Sequence, residues 1–390
     1  MKLKLSLRSP SLLLLALFLL LSTGCSLTHA GNSDSIPASS TIGNISTPHG
    51  KLIFAVDLIR HGDRNPLMEI PTAPHTWQGG LEELTKKGID QEFALGKQLS
   101  NRYITQSNLL PDHYLPETME ARSTGLNRTI MSANSALMGL YFGTGPLSIS
   151  GCPIIPTHNR PRTQEDLLFP DNDFNFNFHD LFQSVITSSQ QWQEKEQSLK
   201  GNFERWSKAT GVPITQLYDL KNLGDTLFIY QLNKIPMPPL LSKEDTTTII
   251  NAGLWATCFV FQNKTVGQAA AANLLQEINN SFQNATQPTQ PLRYRLYCGH
   301  DSTLLVLMTA LGATTPLTTI PPYASDLNLE LFDEGNGTYT VQVTLNNQPV
   351  ILNCSGKNTC TLDQLKSLSD SASAQLKKIQ ALQAQALETH

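Results

Sequence analysis

"LIFAVDLIRHGDRNPL", residues 52–67, decides how the chain folds and where to look for its chemistry. Eight residues with only Asp57 polar read as a buried strand, and they run straight into Arg60, His61, Asp63 and Arg64. An apolar run of this length bounded by a turn glycine fits a core strand of an α/β sheet. Two guanidiniums and an imidazole at its end are costly to desolvate unless an anion belongs beside them.

The same device recurs downstream. Residues 81–104, "LEELTKKGIDQEFALGKQLSNRYI", carry apolar positions near helical spacing. "ETMEARST" (117–124) reads as a short strand ending at Arg122, with Ser123 or Thr124 expected to cap the helix "GLNRTIMSANSALMGLYF" (125–142). "YRLYCGHDSTLLVLMTALG" (294–312) repeats strand, Gly-His-Asp turn, Ser/Thr cap and apolar helix. Alternating strands and helices predict an α/β core, a largely parallel sheet flanked by helices. Ligands of such sheets bind beyond the carboxyl ends of the strands, where Arg60–Arg64, Arg122, His300 and Asp301 all fall.

The expected organisation is a core of residues 51–160 and 261–370, a helical cap at 161–260, and a tail at 371–390 that forms a surface helix or frays. Phe174, Phe176, Phe178, Trp192 and Trp206 in the cap segment are read as its core. "LELFDEGNGTYTVQVTLNNQPVIL" predicts a hairpin turning at Gly335 and Gly337.

The first 24 residues read as a secretory signal: Lys2, Lys4 and Arg8 precede ten apolar residues at 12–21, fewer than the ~20 a bilayer span needs. "STGC" ending at Cys25 resembles a bacterial lipobox, which implies lipidation of Cys25 and membrane attachment; cleavage after Ala30 is the alternative. Residues 25–50 are a Ser/Gly/Pro/Asn-rich tether. Either route exports the protein to the periplasm, cell envelope or medium. Export fits the cysteines, of which "CSGKNTC" predicts a Cys354–Cys360 disulfide. A second pairing, Cys258–Cys298, would leave Cys152 odd.

With 28 basic and 32 acidic residues in 390, a net charge of −4 and no basic block, nucleic acid is not the partner. The local cationic cluster fits a small anion. Arginine forks bind the non-bridging oxygens of a phosphoryl group and answer its growing charge. His61, kept neutral by the neighbouring arginines, supplies a nucleophilic ring nitrogen. Asp301 is placed to protonate a leaving alkoxide, and His300 adds a donor. His179–Asp180 repeats the dipeptide without a strand or turn glycine and is read as structural. His75, His113 and His158 lie in Pro-containing loops without partner motifs. No spacing matches a metal site or a Walker loop, so no cofactor is expected.

"RHGDRNP", "WQGGLEELTKKGIDQEFALGKQL", "RSTGLNRTIMSANSALMGLY", "GHDSTL" and "PPYAS", in that order, resemble the histidine acid phosphatases of the prostatic and lysosomal type and their bacterial relatives. The resemblance spans about residues 51–365 and is weakest in the cap. It implies a phosphoglycerate-mutase-like parallel α/β core with a helical cap. It further implies His61 as nucleophile, Asp301 as proton donor, and Arg60, Arg64, Arg122 and His300 as the phosphate clamp, without metal. Asp326 stands where the vertebrate enzymes have a cysteine, so their disulfide pattern does not transfer. The implied activity is phosphomonoester hydrolysis; a phytase or sugar-phosphate phosphatase is the alternative on this scaffold. A phosphoglycerate mutase is disfavoured by Asp63, Arg64 and Pro66, and a non-catalytic anion binder by the paired His61 and Asp301.

Overall fold

In the computed structural model, residues 48–145 and 148–388 are described. The signal segment, Cys25, Ala30 and nearly all of the 25–50 tether lie outside the described residues.

The apolar run forms β1 (Lys51–Arg60), whose last seven residues are all buried. One set of its side chains, Phe54, Val56 and Leu58, enters the larger hydrophobic core. Ala55 and Ile59 enter a second core on the opposite face. That two-faced burial is what a strand apolar on both sides requires, and each large side chain contributes about 1.5–3 kcal/mol.

A Thr85 hydroxyl accepts the Gly88 amide and starts α1 (Lys86–Ser100). Next come β2 (Met119–Ser123) and α2 (Asn127–Tyr141). Helices α1 and α2 cover the second core in near-backbone contact. A Cβ at Gly96 would lie 2.0 Å from the Ala136 carbonyl oxygen, and one at Gly139 2.2 Å from that of Phe93. Helix α2 starts at Leu126 with no side-chain cap. The expected caps are spent elsewhere: the Ser123 hydroxyl donates to the Thr124 carbonyl, and the Thr124 hydroxyl meets Thr129 and His300.

A small hairpin, β3 (Ser148–Ile149) and β4 (Cys152–Pro153), follows. The segment 161–260 holds helices and, among its described residues, no strand: α3 (Phe178–Leu181), α4 (Gln190–Lys200), α5 (Phe203–Thr210), α6 (Leu220–Leu232) and most of α7 (Lys243–Phe261). Phe176, Phe178, Trp192 and Trp206 are buried in the same core as Phe54 and Val56, while Phe174 is exposed. The chain then returns through α8 (Lys264–Ala285), β5 (Tyr294–Gly299) and α9 (Asp301–Ala310). It ends in β6 (Asp326–Gly335), β7 (Thr338–Leu345), β8 (Gln348–Pro349), β9 (Thr359–Thr361) and α10 (Leu362–Glu388).

The sheet order is β2-β5-β1-β6-β7-β8, with β9 also on β7. Strands β2, β5 and β1 are parallel and carry the site, whereas β6 to β9 join antiparallel. The β6–β7 hairpin turns through Gly335, Asn336 and Gly337, all at positive φ. Residues 371–388 of the expected tail are helical and belong to α10. Leu365, Ala372, Leu376 and Ile379, at helical spacing, are buried in the larger core.

No disulfide is formed among the described residues: Cys258 on α7 and Cys298 on β5 are free and buried. Cys354 and Cys360 are also free, but their sulfurs are in hydrogen-bond contact across the loop.

Candidate active site

Strands β1 and β5 run side by side, pairing Arg60 with Gly299, so that His61 and His300 leave the sheet together. Their rings meet edge to face at 5.5 Å between centroids. The turn after β1 is held by α1: Gln91 accepts the Asp63 amide, and Thr85 donates to the Asp63 carboxylate. Gly62 is needed there because a Cβ would sit 2.5 Å from the Gly88 carbonyl oxygen. From α2 the Ser132 hydroxyl accepts the Gly62 amide at 3.1 Å.

His61 Nδ1 lies 2.8 Å from the Gly62 carbonyl oxygen. A carbonyl can only accept, so Nδ1 carries the proton and Nε2 keeps a free lone pair. Burial, then the charges of Arg60 and Arg64, push the imidazole well below its ordinary pKa. His300 is likewise driven well down by burial and Arg128. It stacks on Phe169 at 4.8 Å and contacts the Thr124 hydroxyl at 3.2 Å.

His61, Arg64, Arg128, His300 and Asp301 line one cavity of about 320 Å³, whose walls also include Arg162, Phe169, Asp171, Lys221, Asp225 and Phe228. Arg64 makes a two-pronged contact with Asp225 of α6, at 2.9 and 3.1 Å. Burial works against its charge, but Asp225, Tyr323 and Asp301 together outweigh burial and raise its pKa. Arg60 underlies the cavity: it donates to the Pro321 carbonyl, lies 4.3 Å over the Tyr323 ring, and pairs with Asp301 at 2.8 Å. Burial alone would raise the Asp301 carboxyl, yet Arg60 and then Lys221 hold it below the usual range. Those two cations therefore favour the carboxylate form of Asp301.

Five of the six expected site residues converge: Arg60, His61, Arg64, His300 and Asp301. Arg122 does not. Its guanidinium donates to Glu165 (2.8 Å) and Asp166 (2.7 Å), and it borders a different cavity with His158, Glu277 and Arg295. The third arginine of the site is Arg128, in the first turn of α2. It is 8% exposed, pairs with Glu82 at 2.9 Å, and has its pKa lowered by burial and by Arg64. Two like charges held so close favour an anion between them, and the α2 N-terminus adds to that field. His179 and Asp180 sit exposed at α3, outside the cavity.

The fold and site together define an α/β protein with an anion pocket of arginines and neutral histidines at parallel strand ends. The family model described as the histidine phosphatase superfamily (branch 2) matches residues 51–215 and 261–346, and the chain belongs to that family. It is 30% identical to bovine prostatic acid phosphatase over 310 residues, covering 76% of this chain and 78% of the relative. To human testicular acid phosphatase it is 32% identical over 300 residues, covering 73% and 68%. A phytase structure from Citrobacter braakii superposes with a TM-score of 0.61 at 18% identity, covering 83% of this chain and 98% of that one.

Proposed function

We propose that the protein hydrolyses phosphomonoesters by way of a phosphohistidine on His61. The observation that carries this is the placement of His61: its Nδ1 lies 2.8 Å from the Gly62 carbonyl oxygen, which leaves Nε2 as the free nitrogen, in a cavity shared with Arg64, Arg128, His300 and Asp301. Nε2 attacks phosphorus and the bond to the leaving oxygen breaks. Arg60, Arg64, Arg128 and His300 answer the charge on the three non-bridging oxygens. The leaving oxygen takes a proton from Asp301. Water then attacks the phosphohistidine, gives its proton to the Asp301 carboxylate, and releases phosphate and His61.

Arg60 and Lys221 favour the carboxylate form of Asp301, so the proton it donates is one that arrives with the substrate. A bound phosphate occupies the arginines that hold Asp301 down, which raises its pKa. A phosphate monoanion also brings a proton of its own. Both effects favour turnover at acid pH, where His61 remains unprotonated because its pKa is depressed.

The test is hydrolysis of p-nitrophenyl phosphate at about pH 5, with and without EDTA. Turnover lost in His61→Ala and indifferent to EDTA is the expected result. No turnover in the wild type removes the enzyme reading, and strong inhibition by chelator removes the metal-independent one. Export belongs to the same proposal and rests on the apolar run at 12–21. Mass spectrometry of the mature N-terminus distinguishes lipidated Cys25 from cleavage after Ala30.

A further inference from the structure

The two ends of the cavity are balanced differently. At the phosphate end each arginine has a close acid: Arg60 with Asp301 at 2.8 Å, Arg64 with Asp225 at 2.9 Å, Arg128 with Glu82 at 2.9 Å. At the outer end Lys221 of α6 and Arg162 share one carboxylate, Asp171. Each stands 3.9 Å from it, at the limit of an ion pair. All three line the same cavity.

Both cations are held in place by other contacts. Lys221 Nζ is 3.2 Å from the Tyr218 hydroxyl and 5.2 Å from the ring centres of both Tyr218 and Phe261. The Arg162 guanidinium lies 4.8 Å over Phe169, the ring that stacks on His300. Arg162 is thus one ring beyond a phosphate donor. Lys221 is close enough to Asp301 to act on its charge. With Asp301 as the donor to the leaving oxygen, a cation whose charge reaches Asp301 is within reach of the alcohol that departs there.

We propose that Lys221 and Arg162 form an anion subsite for the leaving group, so that the preferred substrates are phosphomonoesters whose alcohol carries a second anionic group. This rests on the phosphatase reading above. Two cations against one loosely held carboxylate leave a positive charge that a neutral alcohol does not answer. A carboxylate or a second phosphate on the alcohol does answer it, taking over from Asp171.

The test compares matched substrates: 3-phosphoglycerate against glycerol 3-phosphate for a carboxylate, and fructose 1,6-bisphosphate against fructose 6-phosphate for a phosphate. The expected kcat/KM of the anionic member is about tenfold above its neutral partner in at least one pair, the size of one charged hydrogen bond. Lys221→Met and Arg162→Gln shrink that ratio, and Asp171→Asn, which frees both cations, widens it. Taking the ratio within a pair cancels any change these variants make to the Asp301 proton. Arg162 is half-exposed, so its variant and that of Asp171 remain informative if Lys221→Met fails to fold. Ratios near one in both pairs, or ratios that none of the three variants moves, overturn the subsite. That outcome is distinct from failure of the phosphatase reading, in which glycerol 3-phosphate and p-nitrophenyl phosphate are not hydrolysed at all.

Discussion

Exchanging the two arginines of "ARSTGLNRT" one at a time separates catalysis from stability. Arg128 is almost fully buried, close to Arg64, and paired only with Glu82, whose side chain is 49% exposed. In Arg128→Gln one charged donor to the transferring phosphoryl group disappears. Losing such a donor costs about 10²–10³ in rate, or about 2.7–4 kcal/mol. Relief of the repulsion with Arg64 should leave the fold no less stable, because Glu82 is half in water and needs no partner. Arg122→Gln has the opposite profile. Glu165 is fully buried, and besides Arg122 it accepts the Leu167 and Leu168 amides at 3.0 and 3.1 Å. Stripping the guanidinium from a buried pair costs about 3–5 kcal/mol. The two remaining amides reduce that to about 2–3 kcal/mol, a fall in Tm of about 3 °C for a chain of this size. The assay is kcat/KM on p-nitrophenyl phosphate for both variants beside their melting curves, with inorganic phosphate as a competitive probe of the pocket. Arg128→Gln should lose rate and phosphate affinity at unchanged Tm. Arg122→Gln should lose Tm while its folded fraction turns over within a few-fold of wild type. If Arg122→Gln, fully folded, loses two orders of magnitude and Arg128→Gln does not, the placement of the third arginine is wrong.

Asp301→Asn should slow alkyl phosphates far more than p-nitrophenyl phosphate, whose phenolate leaves without a proton; equal losses would argue against Asp301 as the acid. Buried Glu92, and the coupled Asp57 and Asp326, hold their protons more tightly folded than unfolded, chiefly through burial. Their stabilisation is complete below the ordinary carboxyl pKa of about 4 and is lost as pH rises through their raised folded values, so Tm should fall as pH rises above the ordinary carboxyl range. Asp326→Asn should flatten that fall, and an unchanged slope would contradict the coupling. The contact with Cys360 lowers the Cys354 thiol, which favours attack and closure in an oxidising compartment. Thiol titration of the protein purified under oxidising conditions should find Cys354 and Cys360 unreactive until reduced, against two free thiols if they stay open.

The parts of the site readable from sequence are those whose chemistry is contiguous. "RHGDRNP" places an imidazole between two arginines at the end of a strand apolar on both faces. "GHDS" repeats the arrangement on the neighbouring parallel strand, so topology alone brings His61 and His300 together. Residues of the cap were not legible in this way. Arg64 and Asp225 are 161 positions apart, and nothing local in "YDLKNLGD" distinguishes Lys221 and Asp225 from an ordinary solvated helix face.

Arg122 went astray for a reason that strand geometry makes plain. Side chains alternate along a strand, and in β2 the buried members are Met119, Ala121 and Ser123. Met119 and Ala121 belong to the core under α1 and α2. Arg122 therefore faces the other way, with Glu120, toward Arg295 and Glu277. Standing at a strand's carboxyl end does not aim a side chain into the crevice beyond it. Arg128 is aimed there because it occupies the first turn of the helix that leaves that strand end, where free amides and the helix dipole already favour an anion. The two guanidiniums differ in the company they keep. Arg122 has its charge met by Glu165 and Asp166, while Arg128 sits with Arg64 and a half-exposed Glu82, a cluster whose positive charge favours an anion.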